Sequence, residues 1–205
     1  SQNRSGDQWW AAGDTPVRTG SQLTYFVDWR AVMLDMCRHF LKARRYIYLA
    51  NWGMTPGIEL VRGEDRHAPS DDPGRAELIA ELRAEGLQEQ DIAFWFNNDL
   101  SLRAILGYAV GKGVEVKVLL WKANEALTHC NPMGAYEQVT AVGVTCILDD
   151  SAQGILHHPI ESLHQKISIV DGEHAYVGGV DLLIETEGDF DRWDTSGHPF
   201  ETPLR

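Results

Sequence analysis

The run His164-Gln165-Lys166-Ile167-Ser168-Ile169-Val170-Asp171 constrains this chain more than any other stretch. It reads H-x-K-x4-D, and Gly178-Gly179-Val180-Asp181 comes shortly after. Apolar and polar residues alternate through it, which predicts a β-strand over 163–170. A strand turns successive side chains to opposite faces, so His164, Lys166 and Ser168 share one face, and Ile167 and Ile169 can enter a core from the other. An imidazole beside an ammonium sets a nucleophile next to an anion clamp. That pairing suits phosphoryl chemistry, where positioning and charge stabilisation carry most of the rate. Asp171-Gly172 ends the strand in a turn, so Asp171 is expected to brace the motif rather than react. The pair Gly178 and Gly179 allows close approach of backbone or ligand.

The rest of the chain alternates strands with helices. Helical spacing of apolar residues marks Ala31–Lys42, Ala76–Glu85 and Met133–Ala141. A further helix is expected from an Asp99 cap to about Ala109, ended near Gly111 and Gly113. Strands are expected at Tyr46–Asn51, Ile92–Phe96, Val114–Leu120, Val144–Leu148 and Ala175–Val180, and a short strand or entry segment at Tyr25–Trp29. Residues 63–75 have the composition of a solvated loop, with His67 exposed and inert. Residues 1–20 read as a polar arm or linker, and 21–205 as one α/β lobe: an α/β/α sandwich around a mixed, mostly parallel sheet. Functional residues are expected at strand ends, in a crevice.

Composition narrows the partners. The chain has 30 acidic and 18 basic residues, a formal net charge of −12. Such a surface disfavours non-specific nucleic-acid binding. Basic residues form only scattered clusters, such as Lys42-Ala43-Arg44-Arg45. The three cysteines (Cys37, Cys130 and Cys146) match no metal spacing, and His129-Cys130 is not expected to be half of a metal site. The absence of a disulfide framework mildly favours a reducing compartment. No apolar run is long enough to span a membrane. No signal-peptide pattern opens the sequence, so a cytoplasmic or membrane-peripheral location is favoured.

His164, Lys166, Asp171, Gly178, Gly179 and Asp181 together resemble the signature of the phospholipase D superfamily. Arg192-Trp193-Asp194-Thr195 with His198-Pro199 resembles the segment after the first such motif in eukaryotic-type phospholipases D. Trp52-Gly53-Met54 resembles the cleft-bordering end of that family's first strand. The resemblance implies a hydrolase that attacks a phosphodiester with His164, passes through a phosphohistidine, and uses Lys166 to hold the phosphoryl oxygens. Ser168, Gly178, Gly179 and Asp181 are then expected around the phosphate. Exchange of the headgroup with an alcohol (transphosphatidylation) is implied as well, and neither metal nor cofactor is. His157-His158-Pro159 is read as a loop before the strand.

The family builds one active site from two motifs. Of the eight histidines here, only His164 has a lysine two residues on. The resemblance therefore implies a second H-x-K from another lobe or chain, and a lobe that continues past Arg205. A phospholipid is the expected substrate. Two rival readings are a homodimeric single-motif nuclease, which needs a basic groove, and a non-catalytic partner half.

Overall fold

The computed structural model describes residues 19–26, 29–122, 130–150, 162–179 and 181–183. The expected tail at 192–199, the arm at 1–18 and the histidines at 129, 157 and 158 lie outside them. Among the described residues, five helices, α1 (Trp29–Lys42), α2 (Arg75–Ala84), α3 (Glu89–Asn97), α4 (Leu102–Gly111) and α5 (Pro132–Thr140), accompany five strands. The strands are β1 (Tyr46–Asn51), β2 (Glu115–Trp121), β3 (Thr145–Asp149), β4 (Lys166–Val170) and β5 (His174–Val177). They form one sheet in the order β3-β2-β1-β4-β5. β1, β2 and β3 run parallel, whereas β4 lies antiparallel to β1, and β5 to β4. The sheet is mixed, as the alternation of elements predicts, with two parallel and two antiparallel pairings.

Period 2 decides what each face does. Ile47, Leu49, Val116, Val118, Leu120 and Val170 point to the same side and are buried with apolar residues of the five helices. The opposite side carries Tyr46, Tyr48, Glu115 and Lys117, and keeps Ile147 60% and Val177 78% exposed. On β4 it is Ser168 and Val170 that are buried, while Ile167 and Ile169 are only half-buried. The motif's polar face, not its isoleucine face, is the one turned to the helical layer.

Two stretches differ from the sequence reading. Residues 92–96 are not a strand but the heart of α3. Their aromatic, apolar composition suggests a strand, yet Ile92 and Trp95 are three apart and both buried, a helical spacing. At the start of α3 the Asp91 carboxylate accepts the Gln88 N–H at 2.9 Å, and the Asp91 N–H donates to the Gln88 carbonyl at 2.9 Å. Likewise, Ser101 caps α4, its hydroxyl accepting from the Ala104 N–H, while Asp99 accepts the Ser101 N–H at 2.9 Å. Residues 63–75 are also more ordered than their composition suggests. Gly63–Arg66 is a 3₁₀ turn, and His67 is partly buried, 2.8 Å from the Asp72 carboxylate.

Asp91 ties α3 to the end of α4 and to the turn between α1 and β1. Its fully buried carboxylate takes Arg44 at 2.6 Å, Lys112 at 2.9 Å and the Tyr108 hydroxyl at 2.9 Å. Arg44 is thereby engaged, Lys42 donates to the Glu85 carbonyl, and Arg45 reaches the Asp171 carbonyl. The basic run at 42–45 is tied into the fold by these contacts, with Arg44 and Arg45 still exposed.

Candidate functional site

The site forms where β1 ends and β4 begins. Antiparallel pairing sets Asn51 opposite Lys166, and the Trp52 N–H donates to the Gln165 carbonyl at 3.0 Å. The next residues of the β1 end are tied to the segment after β5. The Thr55 N–H donates to the Leu182 carbonyl at 2.8 Å, and Met54 bridges to Leu182. Residues distant in sequence are thus locked together by main-chain hydrogen bonds, which fixes the side chains they carry.

Lys166 is the best-determined of these. Its side chain is only 7% exposed, and Nζ lies 3.1 Å from Oδ2 of Asp181, itself 9% exposed. The other Asp181 oxygen accepts the N–H groups of Trp52 and Gly53, at 3.0 and 3.1 Å. A buried ammonium needs such compensation. Compensation is incomplete, because the Lys166 ammonium makes no aligned hydrogen bond among the described residues. Nζ also sits 5.8 Å from the centre of the Trp52 ring, within cation–π range. His164 lies just before β4 and is exposed. Its ring meets the Trp52 ring edge-on at 6.2 Å. An exposed imidazole and a sheltered cation therefore flank one indole.

The other predicted residues fall unevenly around this centre. Ser168 is buried on the Lys166 face. Gly178 and Gly179 are exposed, and a Cβ on either would meet no atom within 4 Å. Close approach is required instead at Gly53, where a Cβ would lie 2.8 Å from Leu183 and 3.3 Å from Sγ of Cys130. Trp121 stacks on Trp52, with ring centroids 5.6 Å apart, in a small cluster with Cys130, Leu163 and Leu183.

Asp171 sits at the far end of β4, in a left-handed conformation at φ 55°. Its carboxylate accepts three backbone N–H groups, from Arg44 and Tyr46 at 2.9 Å and Arg45 at 2.8 Å. Burial pushes its pKa up, but the three N–H donors outweigh this and hold it below the usual carboxylate range. The arrangement ties the start of β1 to the end of β4 and places Asp171 away from His164. Asp171→Ala should therefore destabilise the fold by about 1–3 kcal/mol. Asp171→Asn, which keeps an acceptor oxygen and tolerates positive φ, should cost less. Denaturant titration of both variants checks this. An inactive Asp171→Ala protein of wild-type stability would instead make Asp171 a direct participant in the chemistry.

No family model matches the chain. It is similar to a phospholipase D of Phytophthora infestans, 26% identical over 190 residues, covering 93% of this chain and 9% of that protein. Phospholipase D zeta 1 of Arabidopsis thaliana is 24% identical over 186 residues, covering 87% of this chain and 13% of the relative. Phospholipase D zeta 2 of the same plant is 25% identical over 183 residues, covering 87% and 14%. The chain thus spans no more than 14% of the length of any of the three. Among solved structures, NucT from Helicobacter pylori matches 80% of this chain and 72% of its own, at a TM-score of 0.39 and 12% identity. The resemblance first read from a short motif extends along most of the chain.

Proposed function

We propose that this chain is the first-motif lobe of a phospholipase D-type phosphodiesterase, acting on a phospholipid together with a second H-x-K from another lobe or chain. The observation that carries the proposal is Lys166: an ammonium sheltered at a sheet end, incompletely hydrogen-bonded, beside an exposed His164. In the first step an imidazole nitrogen of His164 forms a bond to phosphorus, and the P–O bond to the leaving alcohol breaks. A histidine of the second motif gives that oxygen its proton. Water then forms a P–O bond as the P–N bond breaks, and the second histidine takes the water's proton. Lys166 holds the non-bridging oxygens, whose charge grows towards the transition state. Asp181 keeps Lys166 in place.

Charge and the engaged basic run favour lipid over nucleic acid. A net charge of −12 repels a polyanion, and Arg44 is already spent on Asp91. A zwitterionic phospholipid has no net charge, so one buried lysine per lobe suffices to hold its phosphate. Among the described residues no helix is long and apolar enough to cross a membrane, so the lipid would be met at a bilayer surface.

The complete enzyme should convert phosphatidylcholine and a primary alcohol to the phosphatidyl-alcohol, because a small alcohol can open the phosphohistidine as water does. Mass spectrometry of the lipid products reads this directly. Cleavage of single- or double-stranded DNA at moderate salt, with no phosphatidyl-alcohol formed, would replace the lipid reading with the nuclease. One motif supplies half a site, so the 205-residue chain alone should show no turnover as a monomer. Activity from a sample shown by light scattering to be monomeric would contradict that.

A further inference from the structure

Four polar residues are buried among the described residues: Asn51, Asp91, Ser101 and Ser168. Asp91 is paired to two cations, and Ser101 caps α4. Asn51 and Ser168 remain, and both lie at the site, on β1 and β4. Asn51 is only 3% exposed, and its side-chain oxygen has no hydrogen-bond partner among the described residues. A buried amide oxygen left unpaired is costly, and such groups persist where function requires them. Asparagine is moreover a poor strand former, and this one stands in the central strand of the sheet.

Its neighbour across the ladder supplies the complement. Asn51 stands directly opposite Lys166 on the same face, a cross-strand pairing that brings Cβ atoms to about 4.5–5.5 Å. Lys166 carries donors without an aligned acceptor, and Asn51 an acceptor without a donor. An ammonium has three N–H groups. We propose that Asn51 is a positioning residue that takes one N–H while the Asp181 carboxylate faces another, leaving the third aimed at the bound phosphoryl oxygen. Two acceptors set around one Nζ fix the direction of the remaining N–H, as a single ion pair does not. The proposal rests on the reading of Lys166 as the anion clamp.

The test tracks the Lys166 ammonium itself. Lysine is labelled with ¹⁵N at Nζ in the complete protein, and the Lys166 signal is assigned by its loss in Lys166→Met. Exchange of the ammonium protons with water is measured with and without inorganic phosphate. Asn51→Leu should speed that exchange about tenfold or more, as loss of a hydrogen bond to a charged group implies. Asn51→Asp, which keeps an oxygen acceptor, should exchange no faster than wild type. Equal exchange in Asn51→Leu and wild type would overturn the proposal. So would an Asn51→Asp protein as fast as Asn51→Leu. Should the leucine variant not fold, Asn51→Ala takes its place in the comparison. Phosphate serves a separate purpose. If it leaves the wild-type Lys166 signal unmoved, the anion-clamp reading fails, while the exchange rates without phosphate still decide whether Asn51 holds Lys166.

Discussion

His164→Ala and Lys166→Ala, each placed in the complete enzyme, should lower phosphodiesterase turnover on the order of 10³-fold or more. The magnitude reflects the group each removes. Without the imidazole there is no covalent intermediate, and without the ammonium a growing charge on phosphoryl oxygen goes unanswered. The two variants should part company in stability. His164 is exposed, and its nearest ring neighbour is Trp52 at 6.2 Å, so His164→Ala should melt with the wild type. Lys166→Ala strips the Asp181 carboxylate of its cation, though two backbone N–H groups remain on it. That variant should melt earlier, so its turnover must be measured well below its own transition. Lys166→Met, of similar volume, separates lost charge from lost packing. If either alanine variant kept a tenth of the wild-type rate, that residue would not hold the role assigned to it.

Why the sequence shows some of this plainly and hides the rest comes down to range. The motif strand is legible because period 2 is local: eight residues suffice to see that Lys166 and Ser168 share a face. The parallel strands β1 to β3 and helices α1, α2 and α5 are legible for the same reason. What the sequence does not carry is which face of β4 meets the helices. Ile167 and Ile169 are the more apolar pair, yet Ser168 and Val170 are buried, because β1 sets Leu49 and Ile47 opposite them. The helical spacing of Ile92 and Trp95 is written in the sequence, but the aromatic content of 92–96 masks it, since a five-residue apolar run fits strand and helix alike. The parts of the site contributed by Asn51, Gly53 and Trp121 become visible only through cross-strand register and the return of the chain at 181–183, contacts more than 60 residues apart in sequence.

The largest effect on stability should come from Asp91, a residue with no part in the chemistry. Its carboxylate has no exposed surface and meets Arg44, Lys112 and Tyr108, while also accepting the Gln88 N–H at the start of α3. Removing it leaves the Lys112 ammonium, 10% exposed, without its carboxylate. Breaking a buried pair in this way costs about 3–5 kcal/mol. Asp91→Ala should lower the melting temperature by roughly 6–20 °C for a chain of this size. Burial pushes the Asp91 carboxyl up, yet the Gln88 N–H, Lys112, Arg44 and Tyr108 outweigh it and leave its pKa below the ordinary value. A carboxyl depressed in the folded state contributes stability above its unfolded pKa, near 4, and loses it as pH falls through the folded value. The wild type should therefore weaken as pH drops below about 4. Asp91→Asn, which cannot titrate there, should show a shallower acid limb, with the remaining slope owed to groups such as Asp171. Urea titrations of wild type and both variants between neutral and acid pH measure this. An Asp91→Ala protein within about 1 kcal/mol of wild type would mean that Arg44 and Lys112 find water or other acceptors at little cost, and that α3 is held by the packing of Ile92 and Trp95 alone.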